Sequence, residues 1–137
     1  MATEIKVGLA GFGNVGKGTY DILKRNHSLI GQRAGAPISV KRVIVRNVDR
    51  VKPLVDEDVI VTNDWHDLVN DPEVNVVVEA MGGIEPAKSL ILAAINAGKH
   101  VVTANKALLA EHGNEIFSAA LAKGVNVAFE AAVAGSI

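Results

Sequence analysis

Cysteine is absent from all 137 residues. Its absence rules out disulfides, thiolate catalysis and Cys-ligated zinc here, and is compatible with a reducing compartment. An excess of one charge is missing too: 14 Lys and Arg stand against 15 Asp and Glu, a net charge of -1. Neither nucleic acid nor a membrane surface is therefore expected as a partner. No apolar run approaches the ~18 residues that a membrane span requires. The start, Met1-Ala2-Thr3-Glu4-Ile5-Lys6, lacks the basic and apolar regions of a secretory signal, so a soluble cytoplasmic protein is the expectation. What remains, 49% apolar and 21% charged residues, is globular in character. The length suits one domain that buries about two thirds of its unfolded surface.

Short β-branched runs alternate with longer segments of helical period, the sequence form of a Rossmann-type, doubly wound α/β fold with a mostly parallel sheet and helices on both faces. Strands are expected at Ile5 to Ala10, Ile38 to Val45, Val59 to Thr62, Val74 to Glu79, Val101 to Thr103 and Val125 to Phe129. Helices are expected at Val15 to Lys24, from Asp64 as N-cap to before Pro72, from Pro86 to Gly98, and from Asn105 to Gly124. The last carries a stripe of Leu109, Ile116, Phe117, Ala120 and Leu121 suited to packing on a sheet. His27 to Pro37, with Gly31, Gly35 and Pro37, reads as an exposed loop lengthening the first crossover.

Directly after the first run stands Gly11-Phe12-Gly13-Asn14-Val15-Gly16, a G-x-G-x-x-G string placed between a strand and a helix. The three glycines serve, in order, the tight turn, the close approach of a pyrophosphate to backbone, and close helix-strand packing. The ligand's negative charge then meets the free N–H groups of a helix start. The second strand ends Val45-Arg46-Asn47, with no carboxylate at its tip to hold a ribose. Arg46, with Arg50 and Lys52 nearby, offers a fork for a 2′-phosphate, so NADP is expected over NAD, with use of both left open. The alternative is a solvated strand-end charge at Arg46, with Asp49 serving a ribose.

Met81-Gly82-Gly83 and Thr103-Ala104-Asn105-Lys106 follow the fourth and fifth strands at their carboxyl ends, where open α/β sheets bind ligands. Gly82 would let a nicotinamide or ribose lie against backbone, although a Gly-Gly pair also marks a bare turn. Lys106 stands in a helix's first turn, where a cation opposes the macrodipole; beside an anionic cofactor or an aldehyde oxygen that cation has a purpose. Glu79 reads as a structural carboxylate with no catalytic role. His27, His66, His100 and His112 show no metal-ligand spacing, and Trp65 reads as packing for a short helix.

Gly8 to Gly16, Met81 to Gly83, Val102 to Lys106 and Glu130-Ala131-Ala132-Val133-Ala134-Gly135 together resemble the cofactor domain of homoserine dehydrogenase. The T-A-N-K and E-A-A-V-A-G segments are the specific part of the resemblance. It implies NAD(P)-dependent interconversion of aspartate 4-semialdehyde and homoserine, a step toward threonine, methionine and isoleucine. It further implies that Gly13, Asn14, Val15 and Arg46 hold the dinucleotide, that Thr103 and Lys106 lie beside the nicotinamide, and that Lys106 takes part in catalysis. A monovalent cation, usually sodium, is implied at Glu130, Val133, Gly135 and Ile137. One carboxylate and several backbone carbonyls form a sensible oxygen cage for it.

Two departures qualify the resemblance. Ser136 stands where the family usually has a second glycine, and serine resists a positive φ. The family also continues into a substrate and dimerisation region that carries the substrate-holding acids and the proton-transferring lysine. The 137 residues are thus expected to form one cofactor domain of a homo-oligomeric enzyme, nearly inactive by itself. Two other readings stay open: a different semialdehyde or amino-acid dehydrogenase with a similar first domain, and a non-catalytic nucleotide-sensing module.

Overall fold

A computed structural model describes residues 4–25 and 37–129. The expected loop from His27 lies outside the described residues except for Pro37, whose carbonyl accepts from the Ile5 N–H at 2.7 Å. Six strands form one sheet among the described residues: β1 (Ile5–Ala10), β2 (Ile38–Ile44), β3 (Ile60–Thr62), β4 (Val76–Glu79), β5 (His100–Thr103) and β6 (Val127–Phe129). Their order is β3-β2-β1-β4-β5-β6 and every pairing is parallel. The chain builds outward from β1 to β3, returns to lay β4 beside β1, and builds outward the other way. That reversal is the doubly wound arrangement expected from the sequence.

Among the described residues five helices connect the strands: α1 (Asn14–Arg25), α2 (Val48–Val51, continued by a 3-10 turn at Lys52–Leu54), α3 (His66–Val69), α4 (Ala87–Asn96) and α5 (Lys106–Lys123). One face of the sheet packs Val7, Leu9, Val43 and Val78 against Tyr20 of α1 and Val51 of α2. The other packs Ala10, Ile44, Val77 and Val101 against Leu68, Leu90, Ile91, Ile95, Leu108 and Ile116 from α3, α4 and α5. Each fully buried Leu or Ile contributes about 1.5–3 kcal/mol. Gly8 has no side chain to lift α3 away: a Cβ there would lie 2.6 Å from Leu68 Cγ.

Several boundaries differ from the sequence expectation for local reasons. β3, β4 and β6 start later than Val59, Val74 and Val125 because those three N–H groups are taken by turns, bonding to Asp56, Asp71 and Ala120 carbonyls at 3.0, 3.2 and 3.1 Å. α3 starts at His66, one residue beyond Trp65, yet Asp64 still serves its start: Oδ1 accepts from the His66 N–H at 3.0 Å. Pro86 precedes α4, whose start is capped by Glu85, Oε1 accepting from Ser89 N and Oγ at 3.0 and 2.8 Å. In α5 the expected stripe is corrected: Ile116 and Ala120 are buried, but Phe117 is 44% and Leu121 85% exposed. The buried row is Leu108, Ile116 and Ala120, at spacings of four and eight, and the residue after each buried one is turned about 100° outward.

At the amino ends of the strands a polar cluster closes the sheet. Pairing slips between Val7 and Gly8, whose partners are Val40 and Arg42, so Lys41 is left over. Such a bulge re-aims side chains, and Lys41 and Arg42 both reach Asp71, at 2.7 and 2.6 Å. Lys99, buried and with its pKa lowered by desolvation, donates to the Asp71 and Val74 carbonyls at 2.7 and 2.8 Å. Burial alone would push the Asp71 carboxyl up; hydrogen bonds from Lys41, Arg42 and the Glu73 N–H outweigh it and hold the carboxyl well below the usual carboxylate range. A carboxyl that titrates below its unfolded value of ~3.9 stabilises the fold above that pH, and the contribution is lost as pH falls toward the native value. Asp71→Asn is expected to cost about 1–3 kcal/mol at pH 7. Urea titrations should show the gap from wild type closing below about pH 4.

Candidate functional site

In a parallel sheet all carboxyl ends share one edge, and here the segments singled out by the sequence line that edge. The glycine turn comes first. Gly11 adopts φ +101°, and a Cβ there would sit 2.7 Å from the Ala80 carbonyl oxygen at the end of β4. Its N–H donates to the Ile44 carbonyl at 2.9 Å, and Ala80 N–H donates to Ala10 O at 2.8 Å. The turn is therefore pinned to the strands on either side of β1. Gly16 is buried, and a Cβ on it would come within 2.1 Å of the Gly11 carbonyl oxygen.

Gly13 differs from both. It is exposed, and a Cβ there would meet nothing within 4 Å. Its carbonyl accepts the Lys17 N–H at 2.8 Å, so Asn14, Val15 and Gly16 form the first turn of α1, whose N–H groups no helix carbonyl can reach. Donors beside a space that a side chain would fill fit the pyrophosphate of a dinucleotide. Phe12 rests edge-on against Tyr20, with centroids 5.7 Å apart, and the Tyr20 hydroxyl accepts from Asp56 N at 3.0 Å.

Beyond β2, the Val45 N–H still bonds to the Thr62 carbonyl at 2.9 Å, after which the chain turns. Arg46 is exposed and pairs with no carboxylate among the described residues. Asn47 Oδ1 accepts from Arg50 N at 3.2 Å and starts α2. Asp49, Arg50 and Lys52 are exposed around it.

On the other side of the glycine turn, β4 and β5 end level with each other, Glu79 opposite Thr103. Glu79 is 1% exposed. Its Oε2 accepts from the N–H groups of Met81 and Gly82 at 2.9 and 3.0 Å, and its Oε1 from the Thr103 hydroxyl at 2.5 Å. Thr103 Oγ1 in turn accepts from Asn105 N at 3.0 Å. Asn105 Nδ2 donates to the Gly83 carbonyl at 2.6 Å, and Asn105 Oδ1 caps α5 by accepting from Leu108 N at 3.0 Å. Gly82 and Gly83 have φ +75° and +73° with no atom near a would-be Cβ. Lys106, the first residue of α5, is exposed and has no ion pair among the described residues.

The edge thus carries, in spatial order, Arg46, the glycine turn, Gly82 and Lys106. Thr103 lies beside them with its hydroxyl already engaged as donor and as acceptor. Sequence reasoning missed how completely Glu79 is buried and that it bonds Thr103, 24 residues away. The signal available was that both close strands that prove to be neighbours. Glu130, Val133, Gly135 and Ile137 lie outside the described residues. Among the described residues no group of three or more His, Asp or Glu could hold a metal ion, and no helix is long and apolar enough to cross a membrane. His66 pairs with Asp64 at 2.7 Å and stacks on Trp65, which packs against the core as expected.

Residues 11–130 match the family described as homoserine dehydrogenase, NAD binding domain. The homoserine dehydrogenase of Pseudomonas aeruginosa is 52% identical over 134 residues, 97% of this chain and 30% of that protein. A solved homoserine dehydrogenase from Thiobacillus denitrificans superposes with a TM-score of 0.89 at 53% identity, over 96% of this chain and 30% of that one. The S. aureus enzyme at pH 7.5 gives 0.85 at 35% identity, over 94% and 33%. The chain spans about 30% of the length of the curated relatives it matches. The parallel sheet agrees with these likenesses, and the chain belongs to the homoserine dehydrogenase family, as its NAD-binding domain.

Proposed function

We propose that this edge binds NADP(H) in preference to NAD(H), and that the chain is the cofactor half of an enzyme interconverting aspartate 4-semialdehyde and homoserine. The observation that carries the cofactor choice is Arg46: exposed, without a carboxylate partner among the described residues, and two residues beyond the Ile44 carbonyl that holds the Gly11 N–H. A guanidinium there presents a planar fork to a 2′-phosphate.

A nicotinamide cofactor held by these residues would supply or accept the hydride. The chain's own residues bind and orient. Gly11 to Gly16 offer backbone donors to the pyrophosphate, and Gly82 offers a wall without a side chain. Lys106 places an ammonium where negative charge develops on the semialdehyde oxygen. The lysine that moves the proton belongs, on this reading, to the region beyond these residues, as do self-association and the substrate carboxylates. A monovalent cation at Glu130, Val133, Gly135 and Ile137, and a cytoplasmic setting, belong to the same reading and rest on the sequence.

Three outcomes test the proposal. Arg46→Ala is expected to weaken NADPH binding by about 1–3 kcal/mol while leaving NADH nearly unchanged; equal losses in titration calorimetry would refute the fork. Gly13→Ala should weaken both cofactors by more than about tenfold, or ~1.4 kcal/mol. Because φ at Gly13 is not positive, its folding stability should be unchanged or raised by up to about 1 kcal/mol; a Gly13→Ala protein that binds normally would show that the space above the residue is not the cradle. The 137-residue chain should bind NADPH yet oxidise homoserine negligibly, and a substantial rate in a steady-state assay would overturn the division of labour.

A further inference from the structure

Glu79 is a buried carboxylate with no cationic partner among the described residues. Such a group is retained only where donors replace its water. Here two donors come from the turn after β4 and the third from Thr103 at the end of β5. Five hydrogen bonds, closed by the Gly82–Gly83 peptide bond, form a ring: Glu79 to the Met81 and Gly82 N–H groups, Gly83 to Asn105, Asn105 to Thr103, and Thr103 back to Glu79. Gly82 and Gly83 have no atoms packed where a side chain would be, so the ring, with Met81 and Ile84 packed on the core at either side, fixes their path. The ring also includes Asn105, the residue before Lys106, and so sets where α5 and its first cation begin.

We propose that Glu79 is a positioning residue for the nicotinamide half of the cofactor, joining the turn after β4 to the turn after β5 so that Gly82 and Lys106 stand in one fixed relation. This rests on the NADP(H) reading above. Arg46, at the adenosine end, lies beyond β1 from the ring, and among the described residues neither Arg46 nor Gly11 to Gly16 hydrogen-bonds to a member of the ring.

The test compares NADPH with 2′,5′-ADP, which carries the adenosine half and its 2′-phosphate but no nicotinamide, on wild type, Glu79→Gln and Thr103→Val. Both substitutions keep side-chain shape. Each variant is expected to lose at least tenfold in NADPH affinity, and with it the fluorescence enhancement of the bound reduced ring, while 2′,5′-ADP binds within twofold of wild type. NADPH binding unchanged in the variants, or lost in parallel with 2′,5′-ADP, overturns the role of Glu79. Should Glu79→Gln fail to fold, Thr103→Val decides, since it severs the links from Thr103 to Glu79 and from Asn105 to Thr103 and leaves the carboxylate its two backbone donors. Wild-type protein that takes up neither ligand overturns the cofactor reading itself, and this role with it.

Discussion

A Cβ at Gly16 would stand 2.1 Å from the Gly11 carbonyl oxygen, and that near-contact sets how α1 meets the sheet. Protein interiors are packed too densely to absorb such an overlap by local give. The helix would have to lift, and the turn beneath it with it. Because the Gly11 N–H is bonded to the end of β2 and the Ala10 carbonyl to the start of the turn after β4, lifting the turn would disturb both neighbouring strands. The first turn of α1 is thereby held at the point where strand order reverses, between β1 and β4. Doubly wound sheets leave a crevice at this point. Arg46 on one side and Gly82 with Lys106 on the other are placed by reference to it.

The two edges of the sheet treat charge in opposite ways. At the amino ends, Asp71 is saturated by Lys41, Arg42 and a backbone N–H, and the buried Lys99 is satisfied by two carbonyls. At the carboxyl ends, Arg46 and Lys106 stand exposed without acids among the described residues. Exposed cations cost a fold little, and pairing them would stabilise it by only about 0–1 kcal/mol. Their lack of partners is therefore cheap for folding and useful for an anionic ligand. The asymmetry separates the end that closes the fold from the end that binds.

How much was legible in the sequence follows from how local each cause is. The glycine turn was readable because its residues are consecutive and its flanks are a β-branched run and a helical stretch. The doubly wound, parallel sheet followed from that motif and the β-α alternation. Phe117 and Leu121 misled because apolar residues at helical spacing look alike whether they face the sheet or flank it. Val59, Val74 and Val125 misled because turns claimed their N–H groups, a matter decided by neighbours rather than by propensity. Lys41 and Arg42 would point to opposite faces in a regular strand; only the bulge brings both to Asp71. Glu79 and Thr103 could be joined only by knowing that β4 and β5 pair in register.

That Glu79 is a carboxylate, and not another residue, follows from the backbone around it. In the turn after β4 the N–H groups of Met81 and Gly82 converge on one oxygen, while the Thr103 hydroxyl approaches the other, and two successive positive-φ residues, Gly82 and Gly83, carry the chain onward. An apolar side chain there would strand three donors, at about 1–3 kcal/mol each. A glutamine would set two donors of its own against them, and a serine or threonine has only one oxygen to offer. An ionised carboxylate accepts and never donates, which is what this convergence demands. The two glycines that follow these donors leave no side chain on the outer surface of the turn. The buried carboxyl and the bare wall above it are thus adjacent parts of one turn, joined through the Gly82 N–H that the carboxyl holds.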